Sequence, residues 1–191
     1  MKELSLHILD IVQNSISAKA TLIEIEVNEQ PKNDTLTITI ADNGKGMTAE
    51  QLQKVTDPYF TSRTSRKVGL GIPLLKQNTE QSGGRLTITS ALNVGTTVVA
   101  RFGYNHIDRP ALGDMANAIS LLVMSNPSID FVYTHVIDKE LYRFDTQEVK
   151  KILGEVPINN TQITKMINDM IAENIDDLRQ KSNNYNEKLE K

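Results

Sequence analysis

The feature that most constrains this chain is a short alternating segment that ends on a carboxylate and runs directly into two glycines. Residues 36–41 alternate apolar and polar side chains, which is typical of a half-buried β-strand. The strand is followed by Asp42, Asn43, Gly44, Lys45 and Gly46. Glycine permits close backbone approach and the carboxylate is an acceptor, so the stretch suits a ligand pocket. Taken alone, it favours an Asp-Asn-Gly turn between two strands.

The first predicted helix, residues 3–20, carries an apolar face and a stripe of short polar side chains. The stripe consists of His7, Asp10, Asn14 and Ser17, at offsets of three and four residues. Most such stripes are solvated faces. Asp and Asn are poor helix formers, however, which favours a functional reason for placing both here. An Asn carbonyl is a suitable Mg²⁺ ligand, and Asp10 can orient or deprotonate a nucleophile.

A second glycine element follows a basic segment. Residues 61–67 contain three cations, and Gly69 and Gly71 lead into a helix predicted over residues 73–81. Glycines at a helix entrance leave backbone N–H groups available to an anion, and a basic loop adds contacts to phosphate oxygens. The alternative is a flexible surface loop with an ordinary glycine turn. Two further strands are predicted over residues 85–90 and 96–102.

Together these elements resemble the nucleotide-binding boxes of the GHKL ATPase superfamily, which includes gyrase, heat-shock chaperone ATPases, histidine kinases and MutL. The boxes are Asp10-x3-Asn14, Asp42-x-Gly44-x-Gly46, Gly69-x-Gly71 and Gly95-Thr96-Thr97, in that order. Residues 60–97 look most like a histidine kinase catalytic domain, whereas the first box looks more like MutL. The resemblance covers residues 4–104. It implies an α/β two-layer (Bergerat-type) sandwich, in which helices cover one face of a mixed sheet.

The resemblance also implies the ligands, ATP or ADP with Mg²⁺, and a role for each matched residue. Asp42 would accept the adenine amino group, Thr97 would contact the same region, and Asn14 would ligate Mg²⁺. The other nucleotide-binding residues that it implies are Gly44, Gly46 and Met47 beside the base, and Arg63, Arg66, Lys67, Gly69, Leu70 and Gly71 around the phosphates.

Asp10 occupies the position at which hydrolysing relatives carry a glutamate general base. An Asp is one methylene shorter, and Ser17 is a second departure from the family pattern. Both leave nucleotide binding intact and bear on catalysis. Three functions therefore stay open: a histidine-kinase-like protein that transfers phosphate in trans to a partner protein, an ATPase or nucleotide-gated switch, and a non-enzymatic binding module that resembles anti-sigma regulators.

Residues 105–191 are expected to form a separate small α-β-β-α-α extension. Its last helix is predicted over 161–179, with Met166, Met170 and Ile171 in the core and a disordered tail from about residue 180. Its expected role is dimerisation or partner recognition. The 191-residue chain lacks Cys, carries a net charge of −3 and has no apolar run of about 18 residues. We therefore expect a cytoplasmic protein that binds neither nucleic acid nor membrane, and the resemblance to histidine kinases implies a role in signal transduction.

Overall fold

The computed structural model describes residues 3–56 and 70–189, which form helices packed on a six-stranded sheet. The helices are α1 (Leu4–Ser17), α2 (Ala49–Lys54), α3 (Gly71–Gln81), α4 (Met115–Ser125), α5 (Thr146–Leu153) and α6 (Thr161–Leu189). The strands are β1 (Leu22–Gln30), β2 (Thr35–Asp42), β3 (Arg85–Ala91), β4 (Gly95–Gly103), β5 (Asp130–Ile137) and β6 (Glu140–Asp145). None of the helices in these ranges is long and apolar enough to cross a bilayer.

The strand order is β3-β4-β2-β1-β5-β6, and the sheet is mixed because β1 pairs with β5 in parallel while the other neighbours are antiparallel. Alternation of side chains gives the sheet one apolar face. In β1, for example, Ile23, Ile25 and Val27 are buried whereas Glu24 and Glu26 are exposed. The predicted α/β class, a mixed sheet with helices packed on its apolar face, is confirmed.

The C-terminal part has the predicted α-β-β-α-α order, and its strands extend the sheet. Strand β5 lies beside β1 in a register that runs from Leu22 opposite Asp130 to Glu29 opposite Ile137. The apolar core is continuous across both parts, since Ile25 of β1, Tyr133 of β5 and Ile171 of α6 belong to one cluster. The strands of the two predicted units therefore form one sheet, and the boundary at residues 104/105 stays a prediction.

Helix α6 differs from its prediction in two ways. It continues to Leu189, so the disorder predicted from about residue 180 is wrong for residues 180–189. Past residue 179 the helix is still attached to the rest of the protein at Ser182, which is buried and whose hydroxyl donates to Asp138 Oδ2 at 2.6 Å. The placement of Met166 and Met170 in the core is also wrong, because these side chains are 66% and 38% exposed. Ile171 is buried as predicted.

A buried polar chain crosses from β1 to β5 at the end of the sheet away from Asp42. His135 is fully buried; its Nε2 lies 2.8 Å from Glu29 Oε1, and its Nδ1 lies 2.7 Å from the Tyr133 hydroxyl. Burial alone would raise the pKa of Glu29. The hydrogen bond from His135 and the nearby positive charge of Arg179 outweigh burial and hold this pKa below its ordinary value. Glu29 is therefore an ionised acceptor inside the fold.

We expect His135→Leu to lower the free energy of unfolding by about 3 kcal/mol or more, because it leaves the Glu29 carboxylate buried without its imidazole donor. Urea unfolding measures the loss. The matched control is Glu26→Gln, an exposed acid on the same strand, for which a change within about 0.5 kcal/mol is expected. Equal effects at the two positions would contradict a stabilising role for this buried chain.

Candidate functional site

The candidate site lies at the edge of the sheet where β2 ends. Asp42 is the last residue of β2, and both of its carboxylate oxygens are already held. Oδ1 accepts the backbone N–H of Gly44 at 2.8 Å, and Oδ2 accepts the Ser15 hydroxyl at 2.7 Å. Since each carboxylate oxygen has two lone pairs, the group keeps acceptor capacity for a ligand. The result is a half-buried carboxylate with a fixed orientation.

Ser15 is a site residue that the sequence interpretation missed. It continues the buried stripe of α1, which includes Ile8, Ile11 and Val12, so its hydroxyl faces the sheet. A buried hydroxyl needs a hydrogen-bond partner, and Asp42 is the one that it finds. The sequence feature that could have identified Ser15 is therefore its position within the apolar, core-facing stripe of the helix. Ser17, which the polar stripe included, is exposed and donates to the carbonyl of Gln13 instead.

The loop that follows Asp42 is fastened to the end of α1 and to the start of β1. Asn43 Oδ1 accepts the backbone N–H groups of Thr21 and Leu22, at 2.8 and 3.0 Å. The backbone N–H of Lys45 donates to the carbonyl of Ala18. These bonds make the loop a fixed wall of the site, which is more than a simple turn between two strands requires.

Both glycines of the Asp42-x-Gly44-x-Gly46 motif stand where a side chain would collide. A Cβ at Gly44 would lie 2.9 Å from Ala18 Cβ. Gly46 has a φ of +64°, and a Cβ there would lie 1.9 Å from the carbonyl oxygen of Ala91. Next to it, the backbone N–H of Met47 donates to Ser90 Oγ at 2.8 Å. The motif therefore brings the loop against the β3–β4 hairpin and closes one side of the site.

Strand register corrects one predicted residue. Thr96 stands opposite Asp42 and thus shares its face of the sheet, whereas Thr97 stands opposite Ala41 and points to the other face. Thr96 Oγ1 is also 2.9 Å from Ser90 Oγ, which in turn holds the loop at Met47. The placement of Thr97 beside Asp42 is therefore wrong. Two successive threonines carry the same chemistry, and a shift of one residue exchanges the faces.

The start of α3 meets α1 at Asp10. A Cβ built on Gly71, the first residue of α3, would lie 3.4 Å from both Cβ and Oδ2 of Asp10. The residue before it, Leu70, caps the helix without a side-chain hydrogen bond. The backbone N–H groups of this first turn are therefore not used by a side-chain cap, and the helix dipole favours an anion there.

The structure thus assembles part of the predicted set. Asp42, Gly44, Gly46 and Met47 line the loop, and Asn14 precedes Ser15 on α1. Asp10, Leu70 and Gly71 meet at the start of α3, while Arg63, Lys67 and Gly69 lie outside the described residues. Among residues 3–56 and 70–189, no group of three or more His, Cys, Asp or Glu side chains is arranged to hold a metal ion.

Comparison with known proteins agrees with this architecture. Residues 2–106 match the family described as histidine kinase-, DNA gyrase B- and HSP90-like ATPases. The chain is 32% identical over 98 residues to sporulation kinase B of Bacillus subtilis, covering 49% of this chain and 22% of the relative. It is 43% identical over 58 residues to the sensor histidine kinase ZraS of Klebsiella oxytoca, covering 30% and 12%. The chain therefore spans less than a quarter of the length of these two relatives.

A solved structure, the N-terminal domain of a DNA repair protein, superposes with a TM-score of 0.58 at 15% sequence identity. The similarity covers 83% of this chain and 59% of that one, so it extends beyond residues 2–106. At this level of identity it shows a shared fold, which includes part of the C-terminal elements.

We expect Gly46→Ala to destabilise the protein by about 2–4 kcal/mol, from a positive φ and from contact with the Ala91 carbonyl. Gly154 is a matched control with a similar φ of +59°, but no atom of the described residues lies within 4 Å of where its Cβ would stand. Gly154→Ala carries the cost of positive φ without a collision and should lose less, about 1–2 kcal/mol. Chemical denaturation measures both, and equal losses would contradict close packing at Gly46.

Proposed function

We propose that this chain, which belongs to the family of histidine kinase-, DNA gyrase B- and HSP90-like ATPases, binds an adenine nucleotide at the end of β2. The observation that supports the proposal is the Asp42 carboxylate: Ser15 and Gly44 fix its orientation, and its oxygens keep lone pairs that can accept further hydrogen bonds. An exocyclic amino group of a base donates to such an acceptor. Gly44, Gly46 and Met47 border the base on one side, and Thr96 borders it on the sheet side.

The phosphates of the nucleotide would extend from Asp42 along α1 to the start of α3. The first-turn N–H groups of α3, at Leu70 and Gly71, would donate to phosphate oxygens. Arg63, Lys67 and Gly69 stay predicted phosphate contacts.

A magnesium ion would fit this site when it is coordinated by the nucleotide phosphates together with the protein, rather than by the protein alone. The described residues offer no acidic or histidine cluster for a metal, and Mg²⁺ is commonly bound by few protein groups together with phosphates and water. Asn14, one residue before Ser15 on α1, would supply its amide oxygen. When bound, the ion supplies positive charge that offsets the charge of the phosphate oxygens.

For the reaction, we propose transfer of the terminal phosphoryl group in trans to a partner protein. Asp10 carries this part of the proposal, because it is exposed and lies against Gly71 at the end of the site assigned to the phosphates. Its carboxylate would orient the attacking group and accept a proton from it, while the helix start stabilises the developing charge. The same placement serves a water molecule, so hydrolysis that switches the state of a partner is the second candidate.

We expect Asp42→Asn to abolish the rise in melting temperature that Mg·ADP produces in the unmodified protein. The amide retains one acceptor oxygen, but it replaces the other with a donor that opposes the N–H of Gly44 or the amino group of the base. Thermal denaturation with and without nucleotide measures the shift. Asp108→Asn, at a mostly exposed carboxylate outside the site, is the control and should keep the full shift. An unchanged shift in Asp42→Asn would contradict the assignment to adenine.

We expect Asp10→Asn to bind nucleotide as before and to lose about 100-fold or more in turnover, because the amide cannot accept the proton. Labelled ATP with Mg²⁺ distinguishes label on a protein, which supports transfer, from released phosphate, which supports hydrolysis. Ser17→Ala, an exposed change on the same helix, should leave both unaffected. If the unmodified chain gives neither product with its partner present, the reaction is wrong and a nucleotide-dependent binding module stands in its place.

A further inference from the structure

His7 is a buried histidine at the contact between α1 and α3, where no role in catalysis has been assigned to it. Only 1% of its surface is exposed. Its Nε2 lies 2.7 Å from the side-chain amide nitrogen of Asn78 on α3. Its Nδ1 is buried and has no hydrogen-bond partner among the residues that the structure describes. A titratable group is thus enclosed between the two helices that build the phosphate end of the site.

With the Asn78 carboxamide oriented as it is, the contact is made by the neutral imidazole. The amide nitrogen of Asn78 is a donor, so His7 Nε2 accepts and the ring proton sits on Nδ1. A second proton would place an N–H group against the N–H of Asn78. Burial lowers the pKa of His7, the positive charge of the amino terminus lowers it further, and Asp10 one turn along α1 opposes them in part. From α3, the group that faces the ring is the uncharged Asn78.

Helix α3 lies against α1 at two places along its length. Asp10 meets Gly71 at its first residue, and His7 meets Asn78 seven residues later, about 10 Å along the helix.

Helix α3 also packs on the sheet: Leu75 and Thr79 are buried, and the backbone N–H of Gly103 donates to the carbonyl of Ser82 just after the helix. Loss of the His7 contact would therefore weaken the attachment of α3 to α1 in particular, and with it the alignment of its first-turn N–H groups with α1.

We propose that neutral His7 is a positioning residue, which holds the first turn of α3 in place so that the site binds nucleotide phosphates tightly only while the imidazole is uncharged. The inference rests on the proposed nucleotide site. The direction of the pH dependence follows from the preference of the folded protein for neutral His7. The contribution is complete above the ordinary histidine value of 6.5 and is lost as the pH falls through the lowered pKa of His7.

The experiment compares ATP and adenosine, which differ in the phosphates alone, by calorimetry with Mg²⁺ at pH 8 and pH 5.5. In the unmodified protein we expect ATP affinity to fall about threefold or more from pH 8 to pH 5.5, because protonation of His7 breaks its bond with Asn78. Adenosine affinity should change less than twofold. His7→Gln should keep ATP affinity at pH 8 within about threefold, since its carboxamide oxygen still accepts from Asn78 but does not titrate.

His7→Gln also controls for titration of ATP itself, because the ligand is the same in both proteins. His7→Phe and Asn78→Ala remove the bond from either side, and each should lower ATP affinity about tenfold at both pH values while sparing adenosine. Gln77→Ala, at the exposed neighbour of Asn78, should match the unmodified protein. Melting temperatures establish that each variant is folded.

Three results would overturn the inference. They are equal pH dependence in His7→Gln and the unmodified protein, unchanged ATP affinity in both His7→Phe and Asn78→Ala, and equal losses for adenosine and ATP. In each of these cases ATP binding at pH 8 by the unmodified protein would still support the nucleotide site. Failure of that protein to bind ATP at pH 8 would instead overturn the proposed function, and the inference with it.

Discussion

The structure depends on β1, the strand that pairs with β2 on one side and with β5 on the other. The antiparallel pairing fixes where β2 ends and so places Asp42, while the parallel pairing attaches the C-terminal elements to the same sheet. Its apolar side chains lie beneath the helices, and Glu29 extends the attachment to His135 of β5 through a buried hydrogen-bonded pair. Such a pair adds little net stability when intact but is costly to break, so it serves mainly to specify how the two parts meet.

The candidate site shows how secondary structure supplies geometry that short motifs cannot supply alone. Asp42 has a fixed direction because a helix side chain and a loop N–H hold its two oxygens. The loop has a fixed path because Asn43 and Lys45 fasten it to β1 and α1. The start of α3 is placed by a separate set of contacts with α1. One helix therefore connects the base end of the proposed site to its phosphate end, and family membership agrees with that arrangement.

Much of the architecture follows from periodicity, because alternation and helical spacing report burial directly. The strands near Asp42, the class of fold and the order of the C-terminal elements were predicted in this way. The predictions that were wrong or incomplete depended on strand register and tertiary packing, which periodicity does not report. Thr96 and Thr97 have the same chemistry, so only register separates them. In the sequence, Ser15 is one of several small polar residues of α1, and only the tertiary structure places Asp42 opposite it. His7 belonged to a polar stripe by spacing, yet helix packing buries it. The tail of α6 has a polar composition, yet the helix continues through it, with Ser182 buried and bonded to Asp138.

A carboxylate whose orientation is set before any ligand arrives also acts as a filter. In the proposed site, a base that presents an amino group to Asp42 gains a hydrogen bond without any rearrangement. A base that presents a carbonyl oxygen at the same place would set lone pairs against lone pairs, and Ser15 and Gly44 leave the carboxylate no freedom to turn away. An unmade bond of this kind costs about 1–3 kcal/mol, or more for a charged group. Adenine would then be selected over guanine mainly by repulsion, and the rigidity of the pocket would set how sharp that selection is.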